Sequence, residues 1–193
     1  MTVSPELDRR FRDAAAAEGL LDVAYELHDT PVGELLVAVT ERGVCEIHYD
    51  ADPDAEAERL ARLFGTRVLR SPRPTDEVRR QLDEYFAGER QEFELPIDLG
   101  PAREFGRAVL EQLARVPYGE LTTYGTLAER AGRPRAARAV GTIMNRNPVP
   151  IVLPCHRVVG STGSLVGYAG GLDRKRTLLE LEGALLGGSC VTY

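Results

Sequence analysis

The sequence predicts an α/β (α+β) N-terminal domain followed by a mostly helical C-terminal domain, on three observations. Between residues 23 and 49, apolar residues come in short, partly alternating runs separated by turn residues, the mark of strands. Beyond residue 104 they recur at helical spacing, in short segments broken by glycine and proline. The charge also reverses: residues 1–100 hold 12 basic and 23 acidic side chains, a net of −11, whereas residues 101–193 hold 12 and 7, a net of +5. The overall charge of −6 argues against nucleic acid only until this segregation is seen. It divides the chain into an acidic structural half and a basic, partner-facing one, whose basic residues are arginines with a single exception, the better phosphate forks.

At 193 residues the chain has room for one ordinary domain or two small ones. Its 43% hydrophobic and 28% charged content fits a globular protein, and no apolar run approaches the ~18 residues of a membrane span. The N-terminus (Asp8, Arg9, Arg10, Arg12, Asp13, then four alanines) lacks the apolar core of a signal peptide. Cys45, Cys155 and Cys190 suggest no disulfide framework, which fits a reducing cytoplasm, and they do not cluster with the three histidines at metal-ligand spacing, so no metal site is expected.

In the first half, residues 1–20 read as an extension whose Ala14–Ala17 run favours helix. Val23–Leu27 and Glu34–Val39 read as strands around a turn at Thr30–Gly33, and Glu41-Arg42-Gly43 turns the chain into a third strand, Val44–Tyr49. Ala55–Phe64 has helical spacing after Asp54 as a cap; a second helix spans Thr75–Phe86, and Phe93–Pro96 reads as a short strand. Cys45, His28 and His48 fall on the strands without a surrounding motif and read as ordinary strand residues. In the second half, Phe105–Val116 places Phe105, Ala108, Val109, Gln112, Leu113 and Val116 on one helical face. Thr122 or Thr123 can cap a helix through Tyr124–Arg130, closed by Ala131-Gly132, and Arg133-Pro134 opens another over Arg135–Asn145. Two short helices around a glycine-containing turn read as a helix-turn-helix, though the pattern also describes plain helical hairpins. The second is rich in small residues, so its backbone can approach a partner, and Arg135 and Arg138 supply positive charge.

The stretch most concerned with chemistry is Asn147-Pro148-Val149-Pro150-Ile151-Val152-Leu153-Pro154-Cys155-His156-Arg157-Val158. Its prolines exclude a helix and suggest an extended or edge segment holding Cys155 on a stiff support. A thiolate is the nucleophile, and with an ordinary pKa of ~8.5 it needs a base or a cation nearby. His156 and Arg157 are adjacent, but neighbours on an extended chain face opposite sides, so His156 reaches Cys155 only through a water. A buried, inert cysteine is the plain alternative.

Pro154-Cys155-His156-Arg157-Val158, preceded by Asn147-Pro148-Val149-Pro150-Ile151, resembles the active-site signature of the O6-alkylguanine-DNA alkyltransferases, the methylated-DNA–protein-cysteine methyltransferases, over at least Phe105–Gly183. The resemblance implies a small antiparallel sheet in residues 21–98, a DNA-binding and alkyl-acceptor domain in 99–187, and a tail in 188–193. It also implies that the second helix enters the minor groove, with Arg138, 17 residues before the cysteine, taking the place of a flipped-out base. Arg135, Ala137, Ala139, Gly141 and Gly125 would line the DNA face around it. Tyr124 would face guanine N3, Asn147 would tie the turn to the active-site backbone, and Glu182 would orient His156 in a relay to Cys155 through water. Tyr168, the Ala169 amide, Val158, Met144 and Arg157 would form the substrate pocket; family members often carry serine at position 169. The implied activity is single-turnover transfer of the alkyl group of O6-alkylguanine, and of O4-alkylthymine, from double-stranded DNA to Cys155 by a monomer, with no cofactor because sulfur is itself the acceptor. A non-catalytic lesion-binding relative and a Cys-His hydrolase are the alternatives. Cys155 speaks against the first, and the second leaves the Arg138 helix unexplained.

Overall fold

The structure, a computed structural model, describes residues 4–185, and the chain clusters into two compact units that divide after Gly100. Among the described residues no helix is long and apolar enough to cross a membrane.

Unit 1 begins with helix α1 (Pro5–Ala17), capped by the Ser4 hydroxyl, which accepts from Leu7 N at 3.3 Å. Strands β1 (Val23–Thr30), β2 (Gly33–Thr40) and β3 (Gly43–Tyr49) form an antiparallel meander with Thr30 opposite Gly33. Helix α2 (Pro53–Phe64) follows, then a strand not foreseen from the sequence, β4 (Val68–Arg70), and helix α3 (Asp76–Phe86). β4 joins the edge parallel to β1, so the sheet is mixed, in the order β3-β2-β1-β4. At three residues β4 is too short to show an alternating pattern. Val23, Tyr25, Leu36, Ala38, Cys45 and Leu60 form a core cluster, each large apolar side chain contributing about 1.5–3 kcal/mol by burial. Cys45 is therefore a core residue whose thiol pKa burial pushes well up, as befits an inert thiol.

Two expectations are corrected here. Asp52, not Asp54, caps α2: its Oδ1 accepts from Asp54 N at 3.0 Å and Ala55 N at 3.3 Å, because Pro53 starts the helix earlier than the apolar spacing does. Phe93–Pro96 is not a strand. The Gln81 side chain takes the backbone of Glu94, accepting from its N–H at 2.8 Å, and only Ile97 bridges to Val44. Gly43 makes that approach possible: at φ 132° it leaves a gap in which a Cβ would lie 2.1 Å from Pro96 O, the atom that accepts Val44 N.

Unit 2 opens with helix α4 (Glu104–Leu113), whose Val109, Leu110 and Leu113 are buried. A two-residue strand, β5 (Thr122–Thr123), leads into helix α5 (Tyr124–Arg130); the Thr123 hydroxyl caps it, accepting from Thr126 N at 3.1 Å. Helix α6 (Ala137–Met144) packs on α5 and is shorter at both ends than its sequence pattern, with Val140 and Met144 turned inward. Strand β6 (Val158–Val159) pairs parallel with β5, and helix α7 (Leu172–Leu181) packs against the turn before β6. Cys190 and the 188–193 tail lie outside the described residues.

Candidate active site

The stretch before Cys155 is a knot of turns, not the extended support expected from its prolines. Prolines 148, 150 and 154 have no N–H to give a sheet, so local partners replace the ladder. Leu153 N donates to Val149 O at 2.9 Å, and the Asn147 side chain closes the turn from both sides, giving Nδ2–H to Leu153 O at 2.8 Å and accepting Val149 N at 3.1 Å. Within it Ile151 is held at φ 74°, a conformation costing a β-branched residue on the order of 1–2 kcal/mol. Its fully buried side chain and the closed turn enforce that strain. Cys155 then opens a short 3₁₀ turn with His156 and Arg157, and all three are buried.

Burial dominates Cys155. It pushes the thiol up to about 11, against the opposing pull of hydrogen bonds from the Asn147 and Tyr168 side chains and of the Lys175 charge. The neighbouring carboxylate has the opposite character. Glu182 sits at the end of α7 and receives His156 Nε2–H at 2.8 Å, Arg157 Nε–H at 2.8 Å and Nη2–H at 2.9 Å, and Gly119 N–H at 3.3 Å. Although burial alone would raise it, these donors hold its pKa at about 2. An ionised carboxylate can only accept, so His156 carries its proton on Nε2. Burial lowers the His156 pKa and keeps the ring neutral at neutral pH. The lone pair therefore falls on Nδ1, a buried atom without a hydrogen-bond partner among the described residues. It is a basic nitrogen on the residue next to Cys155 in the chain, left unengaged by the described residues.

Arg157, expected in the pocket, is buried and engaged with Glu182. Its guanidinium grips Glu182 with two nitrogens, gives Nη1–H to Val116 O at 2.5 Å and lies 5.8 Å from the Tyr118 ring centroid. It ties the reactive turn to the 116–119 turn. Val158 and Met144, also expected in the pocket, have buried side chains, and the Val158 carbonyl accepts from Lys175.

An open cleft of about 510 Å³ is lined by Thr123, Tyr124, Gly125, Ala137, Arg138, Gly141 and Ser161. Arg138 is exposed at its edge; Arg135, in the turn before α6, and Ala139, on α6, are exposed as well. A Cβ on Gly141 would only touch the Tyr124 ring at 3.9 Å, and one on Gly125 would meet Thr123 Oγ1 at 3.7 Å, ordinary contacts both. Glycine at these positions is thus not forced by internal packing; it keeps the cleft wide. Tyr124 links cleft and nucleophile: its hydroxyl donates to Val166 O at 3.3 Å, and its pKa is raised by burial and by the nearby Cys155 sulfur. Tyr168 is half-buried and Ala169 exposed, both on the loop between β6 and α7. Reading the sequence missed Lys175, a fully buried ammonium between this loop and the reactive turn, although it is the only lysine in the chain. No metal-binding group of three or more His, Cys, Asp or Glu side chains occurs among the described residues.

Two family models match the chain: the DNA-binding domain of 6-O-methylguanine DNA methyltransferase over residues 104–184, and its ribonuclease-like domain over residues 23–99. The chain belongs to the 6-O-methylguanine DNA methyltransferase family. Methylated-DNA–protein-cysteine methyltransferases from Mycobacterium leprae and Mycolicibacterium paratuberculosis are 55% and 43% identical to it, over 80% and 83% of this chain and 88% and 92% of theirs. The crystal structure of Mycobacterium tuberculosis OGT in complex with DNA superposes with a TM-score of 0.72 at 38% identity, covering 82% of this chain and 92% of that one. The two methyltransferase domain models fall within the two compact units, and α1 precedes both of them.

Proposed function

We propose that this protein repairs double-stranded DNA by direct reversal, taking the alkyl group of O6-alkylguanine, and of O4-alkylthymine, onto Cys155. The observation that carries the reading is the buried Glu182–His156 pair next to a buried cysteine, its remaining imidazole nitrogen unengaged, together with Tyr124, which lies near the Cys155 sulfur and lines a cleft edged by Arg138. With Glu182 ionised, His156 is built to accept a proton at Nδ1, and the imidazolium so formed is stabilised by the carboxylate. Through one bridging water it takes the thiol proton of Cys155. The thiolate attacks the alkyl carbon in line; the S–C bond forms, the C–O6 bond breaks, and its electron pair leaves on guanine. The proton lost from sulfur balances the one guanine gains, and the Tyr124 hydroxyl at N3 opposes the charge developing on the ring.

Guanine O6 cannot reach a buried sulfur from within a stacked duplex, so the base must leave the helix. The α5–α6 pair supplies the means. Ala137 and Gly141 keep the α6 surface low for close approach to the minor groove, Arg138 fills the space vacated by the base, and Arg135 holds phosphate. Tyr168 and the Ala169 amide would hold the flipped base. A thioether does not hydrolyse under these conditions, so each molecule acts once, as a monomer, in the cytoplasm where the thiol stays reduced. Intact-mass analysis after mixing with a duplex carrying one O6-methylguanine tests the reading. A gain of one methylene mass, mapped to the Cys155 peptide and missing in Cys155→Ser, is expected; no gain would refute it.

A further inference from the structure

Two neighbouring threonines form β5, and only one of them has a partner for its hydroxyl. Thr123 Oγ1 caps α5, accepting from Thr126 N at 3.1 Å and lying 2.9 Å from Thr126 Oγ1. Thr122 Oγ1 is buried and has no hydrogen-bond partner among the described residues. Among the described residues of unit 2 it shares that condition with one other buried side-chain atom, His156 Nδ1. A buried hydroxyl left unsatisfied costs free energy that valine, of similar shape and at home in strands, would avoid. The paired strand does carry valine at both positions, Val158 and Val159, and both are buried. Threonine at 122 therefore calls for a polar partner.

We propose that Thr122 is a positioning residue for alkyl transfer: its hydroxyl holds the water through which His156 Nδ1 takes the Cys155 proton. This rests on the function proposed above. β5 and β6 run parallel with Thr122 opposite Val158, the residue that follows the 155–157 turn. Residues paired in a sheet share a face, so the Thr122 side chain stands on the Val158 side, while Thr123 faces the other way. Cys155, His156 and Thr122 are all buried, so a water among them is cut off from bulk solvent. Such a water stays in place when polar groups give it about three hydrogen bonds. The thiol, Nδ1 and the Thr122 hydroxyl make three. The water accepts the S–H, donates one hydrogen to Nδ1 and gives the other to Thr122 Oγ1. As the sulfur proton passes to the water, the water passes its own to Nδ1; the water is regenerated and the imidazolium forms against Glu182. Without the third contact the water turns freely, and donation to Nδ1 is no longer enforced.

Thr122→Val removes the hydroxyl and keeps the shape, whereas Thr122→Ser keeps the hydroxyl. Single-turnover methyl transfer at saturating duplex DNA should slow roughly 10- to 100-fold in Thr122→Val, a share of the ~10²–10⁴-fold that a positioned base supplies, with DNA affinity unchanged. Thr122→Ser should regain most of that rate. Since Thr122 acts through His156, adding Thr122→Val to His156→Gln should slow the reaction no further. A crystal structure of the wild-type protein should show one water bonded to both Thr122 Oγ1 and His156 Nδ1, an arm that needs no variant to fold. A wild-type rate in Thr122→Val would overturn the proposal, as would equal losses in the valine and serine variants, full additivity with His156→Gln, or the two atoms sharing no water. Failure of the wild-type protein to take up methyl at all would strike the proposed function, whereas normal uptake with an indifferent Thr122 strikes only this inference.

Discussion

Glu182→Gln isolates the electrostatic anchor of the site. Its folded pKa of about 2 lies some 2.5 units below the 4.5 of an ordinary glutamate, so the ionised carboxylate contributes about 3 kcal/mol to the fold of unit 2 at neutral pH. The side chain is fully buried, so solvent does not screen this contribution away. Glutamine keeps the shape but leaves the Arg157 guanidinium buried without its anion. Because the folded value is the lower one, the stabilisation is complete above about pH 4.5 and disappears as pH falls towards 2. Hydrogen exchange of the peptide spanning 155–159, with 35–39 in unit 1 as internal reference, reads the local opening free energy. At pH 7 the variant should exchange about 100-fold faster at 155–159 with the reference unchanged, and the gap should narrow at pH 3 once intrinsic rates are corrected. A cost below about 1 kcal/mol at pH 7, or the same cost at pH 3, would show that the carboxylate is not the anchor.

Three further outcomes are expected. Arg138→Ala should slow methyl transfer from duplex DNA by roughly 10–100-fold, the few kcal/mol of base extrusion, while leaving the reaction with the free modified base unchanged; equal loss on both substrates would place Arg138 in the chemistry instead. Glu46 on β3 is buried against Arg59 of α2, with Nη2 at 2.7 Å, and burial raises its pKa to about 7. Since the folded value exceeds the unfolded one, its contribution to stability is full below pH 4.5 and lost as pH rises through 7, so exchange of the 44–49 peptide should accelerate over that range in wild type but not in Glu46→Gln. Gly43→Ala puts a Cβ into the Pro96 carbonyl at a positive φ and should destabilise unit 1 by about 2–4 kcal/mol in urea unfolding, without altering methyl transfer at temperatures where the protein stays folded.

The candidate site residues stood out in the sequence because they lie close together or in a recognisable pattern: Cys155 with His156, and Arg138 on a helix of small residues. What hydrogen-bonds to what was not. Nothing in Arg157 alone distinguishes an arginine that lines a pocket from one that grips a carboxylate 25 residues away, since both readings call for the same side chain. The prolines around Cys155 correctly excluded a helix, but they could not announce that Asn147 would satisfy the freed backbone and bend an expected strand into turns. Strands of two and three residues, β4, β5 and β6, fall below the length at which alternation exists.

Lys175 shows where the missing information lay. Its signal was compositional, one lysine against 23 arginines, and it acquires meaning only when burial makes the charge costly. The same burial that protects Cys155 from solvent and raises its pKa makes it unreactive by default, so the site must supply charge from within. Glu182 is committed to His156 and Arg157, and Arg157 is neutralised in turn. Within this network the lysine is the one buried cation with no carboxylate of its own among the described residues. A buried nucleophile and a buried uncompensated cation are each unfavourable alone. Placed together, each lowers the cost of the other's charged form, the direction in which each acts on the other here.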